Sequence, residues 1–281
     1  MTTTTAALPG AGRPSRGSLR WAVSDTIVLA ARSLSHIVRE PETLMDVTVQ
    51  PVVFVLLFAY VFGSAIPIPG GSYHEYLIGG MFGMGAIGTV PGTAVALVTD
   101  ASTGLFDRFR SLPVARAAVL AGRILADLVT QVIGAAVLVL IGLAIGWRIH
   151  TGPVQALAAV GLTLLLGYTL SWAGACLGMV LRSPEAAQQL GFIIFLPLTF
   201  VSNVFVPTAR MPGWLQAVAN WNPLSAVAAS CRHLFGNPNP AASLPVWPMQ
   251  HPELTVLLWA AFTLLVFAPL AVRLYRRKSL G

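Results

Sequence analysis

VLAGRILADLVTQVIGAAVLVLIGLAIG, residues 119–146, carries only two charges, Arg123 and Asp127, close to its beginning and four positions apart. At about 1.5 Å rise per residue, a helix of this length exceeds the roughly 30 Å hydrocarbon core of a bilayer. Runs of the same kind recur on both sides, over about 44–63, 76–99, 154–181, 187–207 and 254–274. The whole chain agrees with them: 281 residues are 56% hydrophobic and only 10% charged, with mean hydropathy +0.75. An ordinary soluble chain is about 25% charged. The predicted fold class is therefore all-α, a polytopic membrane protein with six transmembrane helices.

The segments between the runs complete the expected organisation. Residues 1–18 read as a disordered cytoplasmic tail, and 19–281 as one transmembrane domain. Within 19–39, Trp21, Ile27, Val28, Leu34 and Ile37 alternate with Arg20, Asp25, Arg32 and Arg39, the pattern of an amphipathic interface helix. Pro51 predicts a kink in the first span. The Gly79/Gly83, Gly88/Gly92, Gly142/Gly146 and Gly174/Gly178 pairs predict close helix approach. The fifth run is interrupted by Pro197. The following stretch, 208–235, is too broken by proline and polar residues to span and too apolar for a solvated loop, so re-entrant helices are expected between spans five and six.

Orientation follows from charge. Six spans with the N-terminus inside put every Lys and Arg except Arg148, Arg210 and Arg232 on the cytoplasmic side, a strong positive-inside bias. Both termini are then cytoplasmic, and Trp147, Trp214, Trp221 and Trp247 form an aromatic belt at the opposite interface. The net charge of +7 is thus topological; the arginines cluster between apolar runs and do not form a nucleic-acid-binding face.

Chemistry within the chain is scarce. There is no HExxH, no GxSxG and no aspartate pair at helical spacing within a span, so no catalytic residue and no metal ligand is assigned. His74, His150, His233 and His251 fall in outer loops, and His36 in the entry helix. Cys176 and Cys231 read as packing residues. A Walker A loop needs its lysine, and the single lysine is Lys278 at the end of a basic tail. Asp46, Asp100, Asp127 and Glu185 lie in or beside spans; near the cytoplasmic ends, local ion pairs outweigh a proton relay as their reading, with Arg123 and Asp127 at i,i+4.

One loop is distinctive. In Asp100–Arg123, Leu105, Phe106, Phe109 and Leu112 make an apolar stripe interleaved with Asp107, Arg108 and Arg110, and Pro113 stops it: a short amphipathic helix along the membrane surface. The ordered set Asp100, Gly104, Arg108, Pro113, Val114, Arg116, Gly122 and Arg123 resembles the coupling segment of ABC-2-type exporter permeases. TGLFDRFRSLPVAR, 103–116, is similar to the daunorubicin/doxorubicin-resistance branch of that family. Residues 39–58 and VSNVFVPTARMPGWLQAVANWNPLSAV, 201–227, also resemble it, and the likeness runs from about 20 to 275. Asp100 stands where the family usually has Glu.

The resemblance implies an exporter permease subunit in the cell membrane, moving hydrophobic drug-like or antibiotic molecules outward. It also implies two copies of a separate ABC ATP-binding subunit, which hold ATP and magnesium, and a homodimer or a heterodimer with a second permease. Coupling to that ATPase is assigned to Asp100, Gly104, Leu105, Phe106, Asp107, Arg108, Phe109, Arg110, Pro113 and Arg116. A pathway at the dimer centre is expected to draw on Phe54, Phe58, Met81, Met84, Phe195, Phe200 and Asn203, and an outer gate on Pro212, Trp214, Trp221, Asn222 and Pro223. An ABC exporter of a lipid or glycan precursor, or a transporter working without ATP, are the alternatives.

Overall fold

Proline and small polar caps set where the helices begin. The computed structural model describes residues 41–103 and 116–278. Helix α1, Pro41–Leu57, is continuous across Pro51 and ends in a π-helical turn, Phe58–Phe62. Helix α2, Tyr73–Ser102, starts at Ser72, whose hydroxyl accepts the Glu75 N–H, satisfying one of the donors that every helix start leaves free. α3 is Arg116–Ala144 and α4 is Pro153–Val180. α5, Pro184–Phe200, is capped by Ser183. Two short helices follow, α6 (Gly213–Trp221) and α7 (Pro223–Phe235), and α8 is Pro252–Lys278. All regular structure among the described residues is helical.

Four helices are long and apolar enough to cross a membrane: α2, α4, and the segments Leu120–Ala144 of α3 and Pro252–Tyr275 of α8. They match the second, third, fourth and sixth expected spans to within a few residues. The first expected span is α1 with its π turn, whose apolar part is Thr48–Phe62. The fifth departs from expectation. α5 stops at Phe200 rather than Pro207, and residues 201–206 leave helical geometry as a series of bends.

α2 is the central element, packed on α3, α4, α5 and α7. The most apolar part of α2 is 61% buried, against 17% in α3, which lies at the rim. Large apolar side chains cover the outside, including Leu140 (66% exposed), Leu157 (72%) and Leu265 (75%). Water would penalise such a surface; hydrocarbon does not. Ala94, Thr93, Gly174 and Gly178 bring α2 and α4 backbone to backbone. A Cβ on Gly174 would stand 2.5 Å from the Val90 carbonyl oxygen and one on Gly178 would stand 2.8 Å from that of Ala94. The expected Gly174/Gly178 contact is therefore made, with α2 as the partner.

The other expected glycine pairs diverge. Gly79 and Gly83 face α7, but a Cβ on Gly88 or Gly92 would meet no atom of the described residues within 4 Å. Gly142 seats against Trp147 and Ile78, whereas Gly146 has φ +97° and lies in the turn after α3. Trp147 also corrects the aromatic-belt reading. It is completely buried, donating from Nε1 to Asn237 Oδ1 at 2.8 Å and meeting Phe235 edge-on. Trp214, Trp221 and Trp247 are exposed.

Candidate functional site

The expected coupling segment falls between α2 and α3. Gly104, Leu105, Phe106, Asp107, Arg108, Phe109, Arg110 and Pro113 lie outside the described residues, as do the tail and the entry helix expected over 1–39. Asp100 is in the last turn of α2, and Arg116 opens α3. The two helices that bracket the segment are fastened to each other farther along. Thr93 on α2 donates its hydroxyl to Asp127 Oδ2 on α3 at 2.6 Å. Arg123 Nε lies 3.2 Å from Asp127 Oδ1, the predicted i,i+4 ion pair, without the alignment of a hydrogen bond. The Asp127 side chain is 12% exposed. The cation and the hydroxyl beside so enclosed a carboxyl offset part of the cost of burying it.

The polar column continues inward. Gln131 is one turn beyond Asp127, and Gly167 on α4 leaves room for its amide, since a Cβ there would collide with Gln131 Oε1. Thr89 on α2 donates to the Gly167 carbonyl at 3.1 Å. Helices α2, α3 and α4 thus share one seam of polar side chains that starts near the coupling segment.

At the opposite, Tyr73 end of α2 is a second polar centre that the sequence reading missed. Arg232 of α7 is fully buried. Its Nε donates to the Tyr76 carbonyl at 2.8 Å, and Nη2 donates to the carbonyls of Asn203 at 2.9 Å and Val204 at 3.1 Å. The guanidinium carbon stands 3.5 Å from the centre of the Tyr76 ring, a desolvated cation–π contact. The Tyr76 hydroxyl donates to the Asn203 carbonyl, and the Tyr73 hydroxyl donates to that of Phe205 at 3.2 Å. Ser225 Oγ accepts the Asn203 N–H at 2.9 Å.

Glycine makes this approach feasible. A Cβ on Gly79 would stand 2.6 Å from Arg232 Cγ, and one on Gly80 would collide with the Val204 backbone. The sequence alone marks Arg232 only as one of three basic residues expected on the outer side. Its signal was local: a cation within AVAASCRHLF, a stretch too apolar to be solvated.

The residues expected to form the gate lie on α6 and at the start of α7. Pro212 precedes α6, Trp214 and Trp221 are 72% and 56% exposed, and Pro223 is the first residue of α7. Asn222 is buried and does two jobs. Its Oδ1 caps α7 by accepting the Leu224 N–H at 2.8 Å, and its Nδ2 donates to the Leu198 and Val201 carbonyls at 2.7 and 2.6 Å. The helix-ending carbonyls of α5 are thereby paired by the start of α7.

The expected pathway residues divide. Met81, Met84 and Phe195 belong to one buried apolar cluster against which Phe54 and Phe58 pack. Phe58 stacks on Phe205 at 4.1 Å, and Phe200, 60% exposed, meets the same ring at 5.7 Å. Asn203 is buried, its Nδ2 3.7 Å from Met249 Sδ. Two histidine–glutamate pairs also cross between elements at this end, His150 Nε2 to Glu75 Oε1 at 2.8 Å and His233 Nδ1 to Glu253 Oε1 at 2.7 Å. Among the described residues, no cluster of three or more His, Cys, Asp or Glu side chains is placed to hold a metal ion.

Known proteins resemble this sequence. Residues 24–235 match the ABC-2 type transporter family. The chain is 34% identical over 267 residues to the daunorubicin resistance ABC transporter permease protein DrrB1 of Streptomyces coeruleorubidus, covering 95% of this chain and 90% of the relative. It is 26% identical over 277 residues to a probable doxorubicin resistance ABC transporter permease protein, DrrC, of Mycobacterium tuberculosis, covering 97% and 94%. A putative transport permease, ycf38, of Pyropia yezoensis is 26% identical over 226 residues, 77% of this chain and 76% of that one.

Proposed function

The chain belongs to the ABC-2 type transporter family, and on that premise we propose that it is the permease subunit of an ATP-driven exporter of hydrophobic, drug-like or antibiotic molecules. The observation that carries the reading is the match along almost the full length to permeases named for daunorubicin and doxorubicin resistance. ATP and magnesium belong to a separate ABC ATP-binding subunit, present in two copies. The permease works as a homodimer or as a heterodimer with a second permease, in the cell membrane, with six spans and both termini cytoplasmic. The two incomplete spans are then α1 with its π turn and α5 with the bends that follow it. α6 and α7 re-enter the membrane from outside.

In this mechanism, closure of the ATPase pair pushes on the segment between Asp100 and Arg116. Leu105, Phe106 and Phe109 seat one face of the coupling helix, and Arg108 and Arg110 make charge-assisted, geometry-sensitive contacts with the ATPase. Thr93 and Asp127 support this role by tying together the two helices that flank the segment. Phe54, Phe58, Phe200 and Phe205 offer an aromatic row suited to flat apolar cargo.

The test is purification of the tagged chain from its own membranes in several mild detergents, with mass spectrometry of what stays bound. A soluble ATPase recovered with the wild type and absent with Arg108→Glu, at equal permease abundance, is the expected result. Absence of an ATPase from both samples would overturn the exporter reading.

A further inference from the structure

Arg232 is a fully buried cation, and no ion pair among the described residues includes it. Burying a guanidinium is costly unless its donors and its charge are compensated. Here the compensation is three backbone carbonyls and the face of Tyr76. Two of those carbonyls, Asn203 and Val204, lie just past the end of α5. At membrane depth, carbonyls freed by a broken helix must find donors within the protein.

For Asn203 the need is independent of conformation. Had α5 continued, its carbonyl would have looked to the N–H of residue 207, and residue 207 is proline, which has none. The cation that lacks a carboxylate and the carbonyl that lacks a helical donor solve each other's problem. The fit is also incomplete. Among the described residues, Arg232 Nη1 and Asn203 Oδ1 are buried with no hydrogen-bond partner. Arg232 thus holds its three carbonyls, one on α2 and two on the segment after α5, through Nε and Nη2.

We propose that Arg232 is the positioning residue of the outer gate: its guanidinium latches α7 and the unwound 201–206 segment onto the Tyr73 end of α2 between transport events. The role as a gate rests on the exporter reading; the latch itself rests on the contacts above. Lysine keeps the charge but cannot reach three carbonyls on two elements at once, so Arg232→Lys releases the latch.

The chain carries its own reporters. Cys231, next to Arg232, is fully buried with its sulfur 3.3 Å from the Thr163 hydroxyl of α4, so any lifting of α7 uncovers it. Cys176 is buried in a different cluster, near the opposite end of α2, with Leu97 and Tyr275. Intact cells are treated with a membrane-impermeant maleimide to read Cys231, and membranes with a permeant one to read Cys176. Each modified peptide is quantified by mass spectrometry.

Arg232→Lys is expected to speed Cys231 labelling at least ten-fold with Cys176 unchanged, and Tyr76→Phe, which removes one hydroxyl and keeps the ring, to speed it a few-fold. Wild-type labelling of Cys231 in Arg232→Lys overturns the proposal, as does equal acceleration at Cys176, which signals general loosening. Should Arg232→Lys fail to reach the membrane, Tyr76→Phe decides alone: faster labelling at Cys231 only supports the latch, and an unchanged rate overturns it. Faster labelling in a permease that recruits no ATPase would keep the latch and remove the exporter; a recruited ATPase with unchanged labelling would do the reverse.

Discussion

The two ends of α2 solve the problem of buried polarity in opposite ways. At the Ser102 end, charge is matched by charge: Asp127 is held by Arg123 on its own helix and by Thr93 across the interface. At the Tyr73 end, Arg232 is held by backbone carbonyls and an aromatic face. The residues that anchor α2 in these centres, Tyr76 and Thr93, are separated by about 25 Å along the helix axis. The first arrangement joins two continuous helices, so it survives small changes in their tilt. The second depends on a chain that has stopped being helical, and it fails if that chain rewinds. On the proposed export mechanism, a stiff seam toward the coupling segment and a conditional one at the other end are what a subunit pushed from one end and opening at the other requires.

The largest expected effect follows from how tightly the outer centre is packed. Gly80→Val places side-chain atoms where the Val204 backbone runs, and backbone cannot rotate away. We expect a loss of roughly 3 kcal/mol or more of stability, the upper range for overpacking, seen as a collapse of permease abundance in the membrane. Gly88→Val, two turns along where a Cβ would meet no atom of the described residues within 4 Å, is expected to leave abundance unchanged. Equal behaviour of the two variants would break the contrast between the packed and the open face of α2.

Much of this was legible in the sequence because the bilayer makes apolar length a direct reporter of structure. Helices α2, α3, α4 and α8 begin and end within a few residues of their predicted limits, and Arg123 with Asp127 was readable from i,i+4 spacing alone. The outer centre was not. Pro197 and Pro207 both flag trouble in the fifth run, but which carbonyls are freed, and that a cation 29 positions after Asn203 meets them, depends on how α7 folds back. Trp147 misled for a related reason. Its position after an apolar run is that of a belt residue, and only the tertiary pairing with Asn237 and Phe235 makes it core. Glycine spacing was similarly ambiguous: the i,i+4 pattern fits Gly174/Gly178, which packs on α2, and Gly88/Gly92, which meets no other described residue.

A mid-sized effect sharpens the comparison from the inner side. Removing the Asp127 carboxylate with Asp127→Ala strands Arg123 near a largely enclosed site. Breaking a buried pair from one side typically costs about 3–5 kcal/mol, and Arg123, 23% exposed, can turn partly toward water, so a loss near the low end is expected. Thr93→Val removes only the cross-helix hydroxyl, and a hydrogen bond between membrane helices averages about 0.6 kcal/mol. Thermal unfolding in detergent should therefore rank Asp127→Ala well below Thr93→Val, with Thr93→Val just below wild type. Thr93→Val as damaging as Asp127→Ala would mean that the interhelical bond, not the charge pair, holds the seam.

The smallest effect belongs to the exposed pairs that surround the outer centre. His233 reaches Glu253 at 2.7 Å, but the two side chains are 67% and 29% exposed, so water screens them and already solvates whichever partner is left alone. Such pairs contribute about 0–1 kcal/mol, and Glu253→Gln retains an oxygen able to accept from the imidazole. Its unfolding temperature should match the wild type to within a degree or two. The pair nonetheless ties the last turn of α7 to the first turn of α8, directly beside Arg232. If Glu253→Gln left thermal stability intact yet accelerated labelling of Cys231, α7 would be held at two points, and the outer end would owe its closure to a surface contact as well as to the buried one.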